Sequence, residues 1–234
     1  LVSAPGCPPF GVVTGLAFEA AAARRGLAPT GAIPIALSGG NAARALDEAR
    51  RLLAEGAGGL LSFGTAGALA PALAAGDLIV ATEVLTETGG AFAADRTWCD
   101  GLAAAASGAG MALRLGAIRA VDRPATTSAE KSALYKSCAA LAIDMESGAV
   151  ARAARDAGLP FAVLRVVIDP ADRDLPEAAI LALAADGRIG WGPLLRSLGR
   201  DPSQIGALLA LARDAAAARR KLGRAAALLG GFGR

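Results

Sequence analysis

Short apolar runs of strand length recur along the chain, separated by stretches with helical spacing. The runs are Phe10 to Thr14, Ile33 to Leu37, Gly59 to Phe63, Leu78 to Val84, Leu113 to Val121, Leu141 to Ile143 and Phe161 to Ile168. Such alternation predicts an α/β fold in which helices cover both faces of a sheet. Asn41 to Glu55 reads as a helix with Asn41 as its N-cap, since a short polar side chain accepts from the unpaired N–H groups of a first turn. Ser128 to Ser137 reads as another, opened by an approximate capping box on Ser128. A third starts near Met145 and stops at Gly158-Leu-Pro160, which launches the next strand. Pro202 to Leu229, rich in Ala, Leu and Arg, reads as one or two helices packing across the sheet. No repeat of fixed period and no linker divides the chain. Residues 1–234 are therefore expected to form one domain, with C-terminal helices from about residue 177.

Composition narrows the chemistry. Hydrophobic residues make up 54% and charged residues 19%, which excludes a disordered chain and suits one large core. No uncharged run is long and apolar enough to predict a membrane span. Pro5, Pro8 and Pro9 interrupt the place where a secretory signal core would sit. Cys7, Cys99 and Cys138 are odd in number and lack metal-ligand spacing, which fits a reducing cytoplasm. The chain has no histidine, which excludes a Ser-His-Asp triad, a histidine base and most catalytic zinc sites. Acid and base work falls to carboxylates. Net charge is only +3, with arginines dispersed except near the C-terminus, so no nucleic-acid partner is expected.

Glycines cluster at predicted strand ends, at Gly15, Gly39-Gly40, Gly64 and Gly67. Open α/β sheets bind ligands there, and glycine lets backbone N–H groups approach. Neither a dinucleotide fingerprint nor a P-loop is present. Ala142-Ile-Asp-Met-Glu-Ser-Gly-Ala-Val150 places two carboxylates around Met145; alone it reads equally as an acidic helix start favoured by the dipole. Phe161-Ala-Val-Leu-Arg-Val-Val-Ile-Asp169 ends a buried-type strand on a carboxylate. Desolvation there raises a pKa and suits an acid, although the segment alone also reads as a turn Asp before Pro170.

Together these two segments resemble the paired signature of the purine nucleoside phosphorylase and nucleosidase superfamily. Leu60-Leu-Ser-Phe-Gly-Thr-Ala-Gly-Ala-Leu69, followed by Ala75-Gly-Asp-Leu-Ile-Val80, resembles its Gly-Ser/Thr-Ala-Gly loop and Gly-Asp strand entry. Val13-Thr-Gly-Leu-Ala-Phe-Glu19 resembles the first strand and acidic residue of its nucleosidase branch. Ser38-Gly-Gly-Asn41, Leu61-Ser-Phe-Gly64 and Asp169-Pro-Ala-Asp-Arg-Asp-Leu-Pro176, continuing through Asp186-Gly187, are similar to the hopanoid-associated phosphorylases within it.

The resemblance implies a three-layer αβα sandwich with a central mixed, partly barrel-like sheet. It also implies cleavage of the N-glycosidic bond of an adenine nucleoside, adenosylhopane in the nearest family. As that bond stretches, the sugar becomes oxocarbenium-like and the purine gathers negative charge. By resemblance Asp169 is the general acid at N7, and Glu146 binds the ribose hydroxyls. Met145 packs on the sugar or, equally, fills the core. Thr65 and Gly67 lie in the loop on the nucleophile side, and Asp122, Arg123 and Pro124 fall in the base-binding segment. Ser38, Gly39 and Gly40 offer a backbone nest for phosphate, with Arg24, Arg25 or Arg44 as its cation. No metal or organic cofactor is implied. Two departures bear on mechanism: Ile168 stands where the family often has Ser, and Gly59-Leu-Leu-Ser-Phe63 lacks the phosphate-holding Arg of hexameric phosphorylases. Glu19 repels phosphate and can deprotonate water, whereas the nearest family's name indicates phosphorolysis, so the acceptor is left as phosphate or water. The alternatives are a methylthioadenosine/adenosylhomocysteine-type nucleosidase and a non-catalytic nucleoside binder. The superfamily leads us to expect a homo-oligomer. A hopanoid substrate implies a peripheral contact at the inner face of the membrane, for which Ile189 to Leu195 with Trp191 is the candidate, aided by Arg188, Arg196, Arg200, Arg219, Arg220 and Lys221.

Overall fold

The computed structural model describes residues 10–28, 33–176 and 204–230. In chain order the elements are β1 (Gly11–Thr14), α1 (Ala17–Leu27), β2 (Ile35–Leu37), α2 (Ala42–Ala54), β3 (Leu60–Ala68), β4 (Leu78–Leu85) and β5 (Ala91–Ala93). They continue with α3 (Arg96–Gly108), β6 (Leu113–Ala120), α4 (Ser128–Cys138), β7 (Ala142–Asp144), α5 (Ser147–Asp156), β8 (Phe161–Asp169) and α6 (Gln204–Leu229).

β1 lies parallel between β2 and β3. β3 pairs antiparallel with β7, β6 runs parallel to both β7 and β4, and β5 pairs antiparallel with β4. β8 pairs parallel with β3 and antiparallel with β4. That double pairing closes β3, β7, β6, β4 and β8 into a ring, leaving β1 and β2 as an open flank. The expected mixed, partly barrel-like sheet is therefore present, and closure leaves the ring strands without free edges.

Alternation along the strands sorts the core into two layers. Leu60, Ile79, Val163 and Val167 pack with Ala45, Ala49 and Leu52 of α2 and Val150 and Ala154 of α5. Leu61, Phe63, Val80, Leu164 and Val166 pack with α1, α3 and α6 through Ala23, Leu102 and Leu222. Helices thus cover both faces.

Several expected boundaries shift. β3 runs on to Ala68, so Gly64 to Gly67 is strand, not loop. α4 is capped by Thr127, not Ser128: Thr127 Oγ1 accepts from Glu130 N at 3.1 Å and Glu130 Oε2 accepts from Thr127 N at 3.3 Å. α5 begins at Ser147, two residues after the expected Met145, because Asp144 accepts from Ser147 N and fixes the first turn there. The short β5, closed by a turn at Gly89-Gly90, had no counterpart in the apolar pattern. Gln204 to Leu229 forms one helix. Asp186-Gly187, the Ile189 to Leu195 segment, Arg188, Arg196 and Arg200 lie outside the described residues.

α6 packs along α1 at a point where only glycine fits. A Cβ on Gly26 would run into the backbone carbonyl of Ala226, which helical hydrogen bonding holds in place. Gly26→Ala is expected to cost about 1–3 kcal/mol by overpacking and to lower the thermal midpoint by several degrees. Gly101→Ala, into open space on α3, should leave the midpoint unchanged or raise it. Differential scanning calorimetry of the two variants checks the contrast.

Candidate active site

Arg165 is the one charged residue within the apolar run of β8, and alternation turns it to the same side as Val163 and Val167. It is 1% exposed. Nε donates to Asp144 Oδ2 at 2.6 Å, while Nη2 donates to Ser62 Oγ at 2.7 Å and reaches Glu146 Oε2 at 3.5 Å. Burial alone would pull its pKa down; the surrounding carboxylates of Asp144, Glu146 and Glu19 more than offset that, so it stays charged. Asp144 spans two elements, since its Oδ1 accepts from Ser147 N at 3.1 Å and Ser147 Oγ at 2.6 Å. It thereby anchors the start of α5 to β8.

Glu146, two residues on, reaches under Gly15, where a side-chain Cβ would strike its carboxylate. Burial pushes the Glu146 carboxyl up to about 8; Arg165 opposes this, and Asp144 and Glu19 add to it. Glu19 sits in the first turn of α1 and is 2% exposed. Its Oε2 accepts from Gly15 N and Leu16 N, both at 2.9 Å, and its Oε1 accepts from Thr65 N and Thr65 Oγ1, both at 2.7 Å. Gly64 makes room for it, because a Cβ there would lie 2.7 Å from Glu19 Oε2. Of the four donors only the Thr65 hydroxyl can rotate away, which frees a lone pair on Glu19 for another donor.

A bulge aims Asp169. Ala66 pairs with Val167 but Gly67 pairs with Asp169, so β8 carries one extra residue at Ile168. Asp169 takes the position opposite Gly67 that Ile168 would otherwise hold, and a Cβ on Gly67 would come within 3.2 Å of Asp169 Oδ1. Lys131 Nζ, from α4, donates to Asp169 Oδ2 at 2.6 Å. Burial raises the Asp169 pKa, Lys131 opposes the rise, and Asp214 of α6 adds to it. Thr65 and Gly67, two residues and roughly 7 Å apart along one face of β3, thus meet Glu19 and Asp169 respectively.

The structure brings together Glu19 with Thr65, Gly67 with Asp169, and Glu146 with Gly15 and Arg165. Met145 is half-buried against the cluster of Leu69, Val121, Ala125, Ala140 and Ile143. Ser38 donates both its amide and its hydroxyl to the Thr14 carbonyl, at 2.9 and 3.3 Å, so it ties β2 to β1. Gly39 and Gly40 follow in a turn with φ of 70° and 71°. Asp122, Arg123 and Pro124 are exposed just beyond β6, with Arg123 at 3.9 Å from Glu130. Arg24 and Arg25 face solvent on the last turn of α1, and Arg44 faces solvent on the first turn of α2. Two residues at the centre of the site, Arg165 and Lys131, had not been singled out. A lone Arg inside a buried-type strand was the available signal for the first; nothing in the α4 pattern marked the second.

Strand-ring closure with buried carboxylates at the strand ends describes a phosphorylase-like α/β enzyme. The chain belongs to the Phosphorylase superfamily, whose family model matches residues 19–186. Among curated proteins no significant sequence match is found. Solved structures of the same fold include futalosine hydrolase of Helicobacter pylori, at 20% identity and TM-score 0.65, covering 82% of this chain and 97% of that one. A Helicobacter pylori 5'-methylthioadenosine nucleosidase mutant with 5'-methylthioadenosine in its active site is similar at 18% identity and TM-score 0.66, covering 94% and 98%. The 5'-methylthioadenosine/S-adenosylhomocysteine nucleosidase of Neisseria meningitidis, in complex with methylthio-immucillin-A, is similar at 19% identity and TM-score 0.69, covering 95% and 98%.

Arg165→Met removes the guanidinium shared by Asp144 and Glu146 and leaves both carboxylates buried beside an apolar side chain. It is expected to cost about 3–5 kcal/mol, read as a lower urea midpoint at neutral pH. Glu146 gives stability a pH dependence of definite sign. Its folded pKa lies above the 4.5 of an ordinary glutamate, so its contribution is fully present below 4.5 and is lost as pH rises through about 8. Glu146→Gln should flatten that decline, which urea midpoints at pH 5, 6.5 and 8 will show.

Proposed function

We propose that this protein cleaves the N-glycosidic bond of an adenine nucleoside and that water is the acceptor. The observation that carries this reading is the pairing of charges. Arg165 at the centre of the site is already matched by Asp144, and Glu19 adds a further carboxylate beside Thr65. A phosphate dianion placed beside Thr65 would meet the Glu19 carboxylate, at a desolvation cost of several kcal/mol. A water molecule meets no such barrier.

The groups then divide the reaction. Asp169 delivers its proton to N7 of the base as the C1′–N9 bond breaks, and the bonding electron pair passes into the purine. Glu146 hydrogen-bonds the ribose hydroxyls. Glu19 takes a proton from water as the Thr65 hydroxyl turns aside, and the resulting hydroxide closes on C1′. Structural neighbours among 5'-methylthioadenosine nucleosidases and futalosine hydrolase, matched over nearly their full length, support cleavage by hydrolysis.

For the 5′ substituent, the resemblance of the Ser38-Gly-Gly-Asn41 and Asp169 to Pro176 motifs supports adenosylhopane as substrate and a role in hopanoid side-chain formation. A second reading, a small 5′-thioether, is favoured by the ligands in the neighbouring structures. An adenosylhopane substrate stays in a bilayer, because each buried methylene contributes about 0.8 kcal/mol, so the enzyme, a cytoplasmic homo-oligomer in this reading, would make peripheral contact with the inner face of the membrane. No described helix is long and apolar enough to cross one.

Wild type is expected to release adenine and a free sugar in phosphate-free buffer, at a rate that added phosphate does not change. A sugar 1-phosphate that forms only when phosphate is present would overturn water as acceptor. Asp169→Asn and Glu19→Gln should each lose about 10²–10⁴-fold in kcat while remaining folded. Running adenosylhopane in anionic liposomes beside soluble 5′-methylthioadenosine decides between the two substituents.

A further inference from the structure

Lys131 is 0% exposed, and its ammonium is fully engaged: Asp169 Oδ2 at 2.6 Å, the Pro170 carbonyl at 2.9 Å and the Arg173 carbonyl at 2.9 Å. An ammonium has three protons to donate, so this one is fixed in place and has no donor left for a ligand. The contacts grip the end of β8 and the turn after it from the first half of α4. Asp169 is thereby left with Oδ2 bonded to Lys131 and Oδ1 without a hydrogen-bond partner among the described residues, both oxygens lying close to the space above Gly67. Ile168 offers no hydroxyl to orient the carboxyl from the preceding position, and Lys131 supplies that orientation from a different element.

Resting on the reading of Asp169 as the acid, we infer that Lys131 is a positioning residue that holds Asp169 with Oδ1 toward the base and receives the charge that Asp169 acquires when its proton leaves. In that step the Oδ1–H bond breaks and a bond to N7 forms, the C1′–N9 pair enters the purine, and Lys131 keeps its three protons. Negative charge appears on a carboxylate already in contact with a fixed ammonium, so no group needs to reorganise as it develops. The other charged groups around Asp169 are Asp214 of α6, bonded to Arg173, and Asp174, which accepts from Ser128 N at the start of α4. Asp214 opposes the effect, Asp174 lies beside Lys131, and Lys131 is the cation in direct contact.

Substitution of Lys131 by Met removes the charge and keeps much of the volume. Turnover needs Asp169 protonated, so kcat falls as pH rises through the Asp169 pKa. An opposite charge in contact lowers a carboxyl pKa by about 1–3, so in Lys131→Met the alkaline limb of kcat should move up by that many pH units. On the plateau below both limbs kcat should drop by about 10-fold or more because the acid is weaker, with KM nearly unchanged. Lys131→Arg should keep the limb near its wild-type position. Lys131→Gln carries the same readouts if the Met variant does not fold. An unshifted alkaline limb in a folded, uncharged variant, or a loss confined to KM, would overturn the inference. A wild type that releases no adenine from any nucleoside would instead overturn the functional reading beneath it.

Discussion

The interaction on which the site depends is the buried contact of Arg165 with Asp144. An ionised guanidinium inside an apolar sheet is tolerable only if its charge is matched. Asp144 matches it from β7 and Ser62, on β3, accepts from Nη2, while Nη1 has no partner among the described residues, so one side chain on β8 fixes the relation among three strands of the ring. Asp144 also holds Ser147, which places the start of α5 and, between the two residues, Glu146. Glu146 is thus positioned by a charge pair on neighbouring elements.

Four buried acidic residues of the site are held in different environments by their partners. Asp144, paired with Arg165 and bonded to Ser147, is structural. Glu19 is surrounded by N–H and O–H donors, one of which can rotate. Burial raises Glu146, which shares its guanidinium with Asp144. Asp169 is caught between burial, which favours its acid form, and Lys131, which favours its conjugate base. A group poised between two such influences is suited to give up a proton at the moment the leaving group needs it.

Close approach is the second constraint. Gly15, Gly64 and Gly67 each stand where a Cβ would meet a carboxylate of Glu146, Glu19 or Asp169. The bulge at Ile168 then turns Asp169 into the space that Gly67 leaves. Glycines are thus used to bring backbone and acid groups within reach of one another.

Much of this was determined by local sequence. Apolar runs at strand length, the Asn41 cap and the absence of histidine set an α/β fold with carboxylate chemistry, because periodicity and residue type act over a few neighbours. The motifs around Glu19, Thr65, Glu146 and Asp169 marked the acids themselves. Other features depend on residues far apart in the chain and were decided by the tertiary structure alone. The extra residue at Ile168 is visible only against the register of β3. Arg165 acquires its meaning from Ser62 and Asp144, which lie 103 and 21 residues away. Lys131, an ordinary helical lysine in sequence, becomes a buried partner of Asp169 because ring closure sets α4 against the end of β8. A charge's role is set by the burial and the partners that surround it, and those exist only once the strands have closed.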